Sequence, residues 1–114
     1  MKPLLGLENN RVKLAFPGDI LSTNVETLRE QIFSTLNSTQ YTNLACDAFE
    51  FDFTRAQMID SAGLNLVVSV LRQVKKKATR ISALVASAHV GRILRFTRLD
   101  RQMEIITLEQ GVSA

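Results

Sequence analysis

Between Phe49 and Val74 the period of the apolar residues changes, and that change sets what the chain can fold into. Phe49, Phe51 and Phe53 alternate with Glu50 and Asp52, the pattern of a strand with one well-buried face. Leu64, Val67, Val68, Leu71 and Val74 then recur at i, i+3, i+4, i+7 and i+10, the stripe of an amphipathic helix. Between the two stands Asp60-Ser61-Ala62-Gly63. A strand, a short loop and a helix with small residues in its first turn point backbone N–H groups outward around Ser61. Function is expected to turn on Ser61.

The rest of the chain continues the alternation. Leu4 to Glu8 and Arg11 to Phe16 read as strands joined by an Asn9-Asn10 turn, with Val12, Leu14 and Phe16 on the buried face. Pro17-Gly18-Asp19 breaks the second strand. Thr23-Asn24-Val25-Glu26 has the form of a capping box, opening a helix with Val25, Leu28, Ile32, Phe33 and Leu36 inward. That helix is expected to end near Asn37-Ser38-Thr39.

Asp47 to Phe53 is the central strand, and the helix after Ser61 is expected to run to about Lys77. Lys75-Lys76-Lys77 would there complement its dipole. Ile81 to Val85 is a further strand. Ser87 caps a helix whose inward stripe is Val90, Ile93, Leu94 and Thr97, and Met103 to Leu108 is the last strand. Strands and helices that alternate from residue 11 onward predict an α/β fold with a mostly parallel sheet. At 114 residues, with no repeat, low-complexity tract or linker, a single domain over 1–114 is expected, with residues after Glu109 loose.

Composition narrows the function classes. The chain is mildly basic, with net charge +3 and a pI of about 9.4, but aromatic residues make up only 6% and there is no Trp. Arg92, Arg95, Arg98 and Arg101 form a basic ridge at three-residue spacing. That spacing drifts around a helix, so the ridge reads first as a solvated face and second as a partner contact, and no nucleic-acid partner is expected. A single cysteine, Cys46, fits a reducing, cytoplasmic compartment. No apolar run approaches the roughly 20 residues of a membrane span. Met1-Lys2-Pro3-Leu4-Leu5-Gly6-Leu7 does not have the form of a signal peptide. Asn37-Ser38-Thr39 matches a glycosylation sequon by chance in a chain of this kind.

Catalysis lacks its parts. Ile59-Asp60-Ser61-Ala62-Gly63 is superficially like the nucleophile elbow G-x-S-x-G, but Ile59 stands where that strained turn needs a small residue. The only histidine, His89, falls at the start of a helix with no acidic residue placed to orient it. Metal-ligand spacing and the Gly-rich phosphate loops are both absent. An enzyme is therefore not expected, and neither a cofactor nor a metal is implied. Ser61 could serve as a plain helix N-cap. Yet Asn65, Ser69, Arg72 and Lys76 lie at +4, +8, +11 and +15 from it, so a polar face begins at the serine. Asp19, Asp60, Ser61, Ala62, Gly63, Asn65, Ser69 and Arg72 make up the expected partner-binding set.

The segment F-D-F-T-R-A-Q-M-I-D-S-A-G-L resembles the signature of STAS domains, the anti-sigma factor antagonist family, in which D-S-x-G-L opens a helix after an apolar strand. Val12 to Gly18 resembles the family's early strand and Val25 to Leu36 its first helix. Leu99 and Asp100 match its late g-L-D-x-x-F-x-I segment, with Arg98 in place of the small residue and Met103 in place of the aromatic. The match covers roughly residues 4–108. It implies a mixed sheet with helices packed mainly on one face. It also implies phosphorylation of Ser61 by a partner serine kinase that doubles as an anti-sigma factor, with a PP2C-type phosphatase to reset it; a homodimer is left open. In one respect the chain departs from the pattern: the family often reads G-E-x-D early on, and here Gly18-Asp19-Ile20-Leu21 puts Leu21 in place of the second acid. The same resemblance allows a non-switching STAS subunit of a transport complex, or a small-ligand or nucleotide sensor with its pocket beside the D-S loop.

Overall fold

The computed structural model describes residues 5–8, 11–42 and 47–108. Strands β1 (Leu5–Glu8), β2 (Arg11–Ala15), β3 (Ala48–Phe53), β4 (Arg80–Val85) and β5 (Glu104–Thr107) form one sheet in the order β1-β2-β3-β4-β5. β1 and β2 pair antiparallel; every later pair is parallel. Helices α1 (Val25–Leu36), α2 (Thr39–Thr42), α3 (Ser61–Val74) and α4 (Ala88–Phe96), and a 3-10 turn at Leu99–Arg101, connect the strands. The sheet is thus mixed and mostly parallel, as the alternation predicts. Successive crossovers that step in one direction with the usual right-handed sense place their helices on one face.

Register identifies that face. Leu14, Phe51 and Ala83 are aligned across β2, β3 and β4, and all are fully buried. Phe53 and Val85 continue the row, and Phe16 stacks on Phe53 with ring centroids 5.2 Å apart. Phe51 and Phe53 also stack, at 5.8 Å. Removing each such ring from water contributes about 2–3 kcal/mol. The opposite face of β3 carries Glu50 and Asp52. Glu50 is only 2% exposed, and a buried carboxylate needs paired cations. Arg11 hydrogen-bonds it, and Lys13 Nζ sits 3.8 Å from Glu50 Oε2 and 3.4 Å from Asp52 Oδ2. Burial pushes the Asp52 carboxyl up, but hydrogen bonds from Thr54 and the charge of Lys13 outweigh it and hold it below the ordinary value.

Several local expectations are corrected. Helix α1 has Asn24, not Thr23, at its N-cap, and no side chain caps it. Asn24 instead spends both ends of its amide on the loop before the helix, described below. The inward stripe of α3 is Gly63, Leu66, Val67, Val70, Leu71 and Val74, while Leu64 and Val68 are only half-buried. The nearly unbroken run Leu64-Asn65-Leu66-Val67-Val68-Ser69-Val70-Leu71 leaves the rotation of the helix undecided in the sequence; contact at Gly63 decides it. α3 ends at Val74, short of Lys77. Lys77 does not face its own helix end: Nζ donates to Tyr41 O (2.7 Å) and Thr42 O (3.3 Å), at the last turn of α2, and lies 4.9 Å from the Tyr41 ring centroid. Helix α2, which the turn cluster at residues 37–39 concealed, is held this way.

Ser87 does cap α4, accepting from His89 N (3.2 Å) and Val90 N (3.4 Å). The buried side of α4 is Val90, Gly91 and Leu94; Ile93 is half-buried and Thr97 is exposed, because the helix ends at Phe96. The four arginines of the basic ridge are exposed. The Asn9-Asn10 turn, Leu4 and Cys46 lie outside the described residues. No helix among the described residues is long and apolar enough to cross a membrane.

Just past α4, Arg98 adopts φ 66°, in the left-handed region. A side chain there costs about 1–2 kcal/mol relative to glycine. Leu99 and Met103, both buried, anchor the turn that requires it. Arg98→Gly should therefore raise the unfolding free energy by about 0.5–1 kcal/mol, since relief of strain is partly offset by the freer unfolded chain. The measurement is a higher urea midpoint at unchanged slope. A lower midpoint would mean that the arginine side chain itself holds the turn.

Candidate functional site

At the carboxyl end of the central strands two loops are zipped together. Phe16 N donates to Asp52 O (3.1 Å), Ile20 N to Met58 O (3.1 Å) and Asp60 N to Ile20 O (3.3 Å), so Ile20 and Ile59 form an isolated parallel bridge beyond the sheet. Asp19 closes the far side: its Oδ1 accepts from Gln57 N (2.8 Å) and Met58 N (3.2 Å). Asn24 stiffens the near side by donating to Asp19 O (2.8 Å) and accepting from Leu21 N (2.9 Å). Leu21 O takes the N–H groups of Asn24 and Val25. Position 21 thus works through its backbone, starting the turn into α1.

Helix α3 is pressed against this strap. A Cβ built on Gly63 would lie 2.0 Å from the Ile20 carbonyl oxygen, a distance no side chain tolerates. Glycine is required here by close approach, not by its backbone angles. The contact lets Asp60 span the junction. It is the N-cap of α3, accepting from Gly63 N through Oδ1 (2.8 Å), and it also accepts from Ser22 N through Oδ2 (2.8 Å). These bonds, that from Gly63 first and that from Ser22 next, hold its carboxyl below the ordinary carboxylate value.

The cap is therefore Asp60, and Ser61 is the first residue of the helix rather than its cap. Ser61 is exposed, and among the described residues its hydroxyl makes no hydrogen bond. No histidine or carboxylate hydrogen-bonds it there, so nothing among those residues activates it. His89 is half-buried on α4. No three His, Cys, Asp or Glu side chains converge on a metal-sized site among the described residues.

Of the expected partner-binding residues, the structure brings Asp19, Asp60, Ser61, Ala62 and Gly63 to one joint. Gly63 is buried and acts as a spacer. Asn65 is exposed one turn on, while Ser69 is half-buried and its hydroxyl donates back to Asn65 O (2.9 Å). Arg72 is exposed but lies about 16 Å along the helix from Ser61, away from the joint. Sequence reasoning missed Asn24, Ser22 and Met58. Met58, 51% exposed beside the strap, is the large apolar side chain of this surface. An Asn within the first capping signal was the visible hint of Asn24; nothing in the sequence marked the other two.

These features define a small open-sheet α/β domain that presents an exposed serine at the start of the helix after its central strand. The chain belongs to the STAS domain family, whose model matches residues 6–112. Solved structures agree on the fold. A putative anti-sigma factor antagonist from Thermotoga maritima superposes with a TM-score of 0.73 at 18% identity, covering 93% of this chain and 86% of that one. The anti-sigma factor antagonist SpoIIAA in its unphosphorylated form gives 0.67 at 21% identity, with 93% and 87% covered. A sulfate transporter family protein from Wolinella succinogenes gives 0.66 at 12% identity, with 89% and 80% covered. No curated protein matches this chain in sequence.

Two outcomes test the joint. Gly63→Ala should cost about 3 kcal/mol in urea unfolding, since backbone rather than a flexible tip must yield; Ala62→Gly, one residue away, should cost only about 0.5–1 kcal/mol. A change below about 1 kcal/mol for Gly63→Ala would show that the strap moves aside freely. The depressed Asp60 carboxyl has a defined sign in pH. Its contribution to stability is complete above the unfolded carboxylate pKa of about 4 and is lost as the pH falls through the lower folded value. Carboxyl NMR titration should place the Asp60 midpoint below that of a free aspartate, and Asp60→Ala should remove this part of the acid dependence.

Proposed function

We propose that the chain is a phospho-switched docking module of the anti-sigma factor antagonist kind. It binds a partner serine kinase that is also an anti-sigma factor through the surface around Ser61; phosphorylation of Ser61 ends that binding and a PP2C-type phosphatase restores it. The observation that carries this reading is the contrast at the joint. Both carboxylates, Asp19 and Asp60, are committed to backbone N–H groups, while the Ser61 hydroxyl is exposed and, among the described residues, unbonded. A serine so placed is acted upon rather than acting.

The physics favours an effect on binding over one on folding. A phosphate adds up to two negative charges beside Asp60. The start of α3 eases that charge by about 0.3–1 kcal/mol within the domain. Forcing it into an interface without a matching cation costs several kcal/mol, and 1.4 kcal/mol is already tenfold in affinity.

A second reading has its own support. The Wolinella structure is of a sulfate transporter family protein, and Leu21 stands where the family resemblance leads one to expect an acid. On that reading the chain is a constitutive subunit of a transport complex. A nucleotide-sensing role has less support, since a cleft of about 700 Å³ lies at the other end of the sheet near Arg80, Arg101 and Glu104.

The experiment compares wild type, Ser61→Ala and Ser61→Asp for affinity to the captured kinase, with cognate kinase and ATP supplied to look for phosphate on Ser61. Ser61→Asp should bind at least about tenfold more weakly with an unchanged unfolding midpoint. Equal affinity of all three, with no phosphate on Ser61, would replace the switch by the constitutive subunit.

A further inference from the structure

A second surface combines features that the proposed switch does not use. Arg92, Arg95, Arg98 and Arg101 are exposed along α4 and the turn beyond it. Among the described residues none of them forms an ion pair, although Asp100 and Glu104 are near in sequence; Arg95 Nη2 donates only to Thr107 Oγ1, at 3.2 Å. Between α4 and β5 runs a groove of about 480 Å³ with Ala88 and Gly91 along its wall and Phe96 at its lip. Phe96 is 87% exposed, the most exposed large apolar side chain among the described residues.

Among the described residues the groove opens beside a strand with free bonding groups. β5 is the last strand of the sheet. Leu108 N donates to Val85 O (2.7 Å), and Ala83 and Val85 are in register with Ile105 and Thr107. In a parallel ladder a residue sends its N–H and its C=O to the same side. Glu104, Ile106 and Leu108 therefore face β4, and Ile105 and Thr107 direct both groups outward. Arg98 adds an independent sign: it holds a left-handed position that glycine would occupy without strain. Strain that persists at an exposed cation points to a use for that cation.

We propose that the β5 edge and the α4 groove dock an extended acidic segment of a partner protein. The segment adds as a further strand on Ile105 and Thr107, lays an apolar side chain against Phe96, and sets carboxylates against Arg92, Arg95 and Arg98. Two outward residues offer few backbone bonds, so charge must supply much of the affinity and the binding must weaken with salt. The alternatives fit less well. Phosphate groups of a nucleic acid or a lipid bring acceptors but have no donor of their own for the outward carbonyls, and a second copy of the chain would set arginine against arginine.

The test is an NMR titration of the intact chain with a short amidated peptide alternating Glu with Val. The amides of Ile105 and Thr107 should shift saturably. Arg92→Glu combined with Arg95→Glu, both exposed, should lower the affinity at least about tenfold, and a Lys-for-Glu peptide should not bind. Arg98→Gly should weaken binding even though it does not destabilise the fold, which separates recognition from folding. Ser61→Asp should leave the affinity within about twofold, so failure here and failure of the switch are read separately. The proposal is overturned by absence of saturable shifts, by shifts confined to the Ser61 joint, or by loss of binding in Ser61→Asp. Tighter binding of a single-stranded oligonucleotide or of phosphatidylglycerol vesicles would reassign the arginines. Concentration-dependent shifts of the two amides without peptide would assign the edge to a second copy.

Discussion

The missing Cβ at residue 63 is what the carboxyl end of the sheet depends on. With Ile20 O where it is, only glycine lets α3 approach the strap. That approach brings Asp60 within reach of both Gly63 N and Ser22 N, so one carboxylate ties the start of α3 to the chain before α1. Positions two apart on a helix are separated by about 200°, so seating Gly63 inward turns Ser61 outward. Exposure of the serine is thus a geometric consequence of burial of the glycine. The D-S-x-G pattern reads physically as clamp, presented group and spacer.

Much of this fold was legible because β3 and its neighbours follow simple periods. The alternation of Phe49, Phe51 and Phe53 against Glu50 and Asp52 assigned a face to each residue, and the structure keeps that assignment. What was not legible came from groups far apart in sequence. The rotation of α3 is set by the carbonyl of residue 20, and the loop before Ser61 is capped by Asp19 from 38 residues away. Local signals misled wherever a distant partner outbid them: Thr23 had the form of a cap, but the Asn24 amide was already engaged by Asp19 and Leu21. Lys77 likewise belongs to α2 rather than to its own helix. At the joint the serine was found by pattern, while its neighbour proved to be the cap.

The two faces of the sheet solve different problems with the same strand. Toward the helices β3 contributes rings that stack with Phe16 and with one another. On the other face it contributes acids whose charge is met by Arg11 and Lys13 from the adjacent β2. Cross-strand pairs of opposite charge favour one register over its neighbours, and a slip by one residue would put Glu50 among the phenylalanines. The ion network is therefore better understood as a register device than as a source of net stability.

The strand order has a consequence for how the chain is assembled in time. Because each strand lies beside the one just before it in sequence, the sheet can be extended at a single growing edge. No strand must wait for a later one to be inserted between it and its neighbour. A chain emerging from the ribosome, amino end first, can therefore lay down β2, β3 and β4 in turn against an existing template. The helix that starts at Ser61 cannot be seated until Ile20, made well before it, is in place. The serine is thus presented only once the earlier part of the domain has already folded.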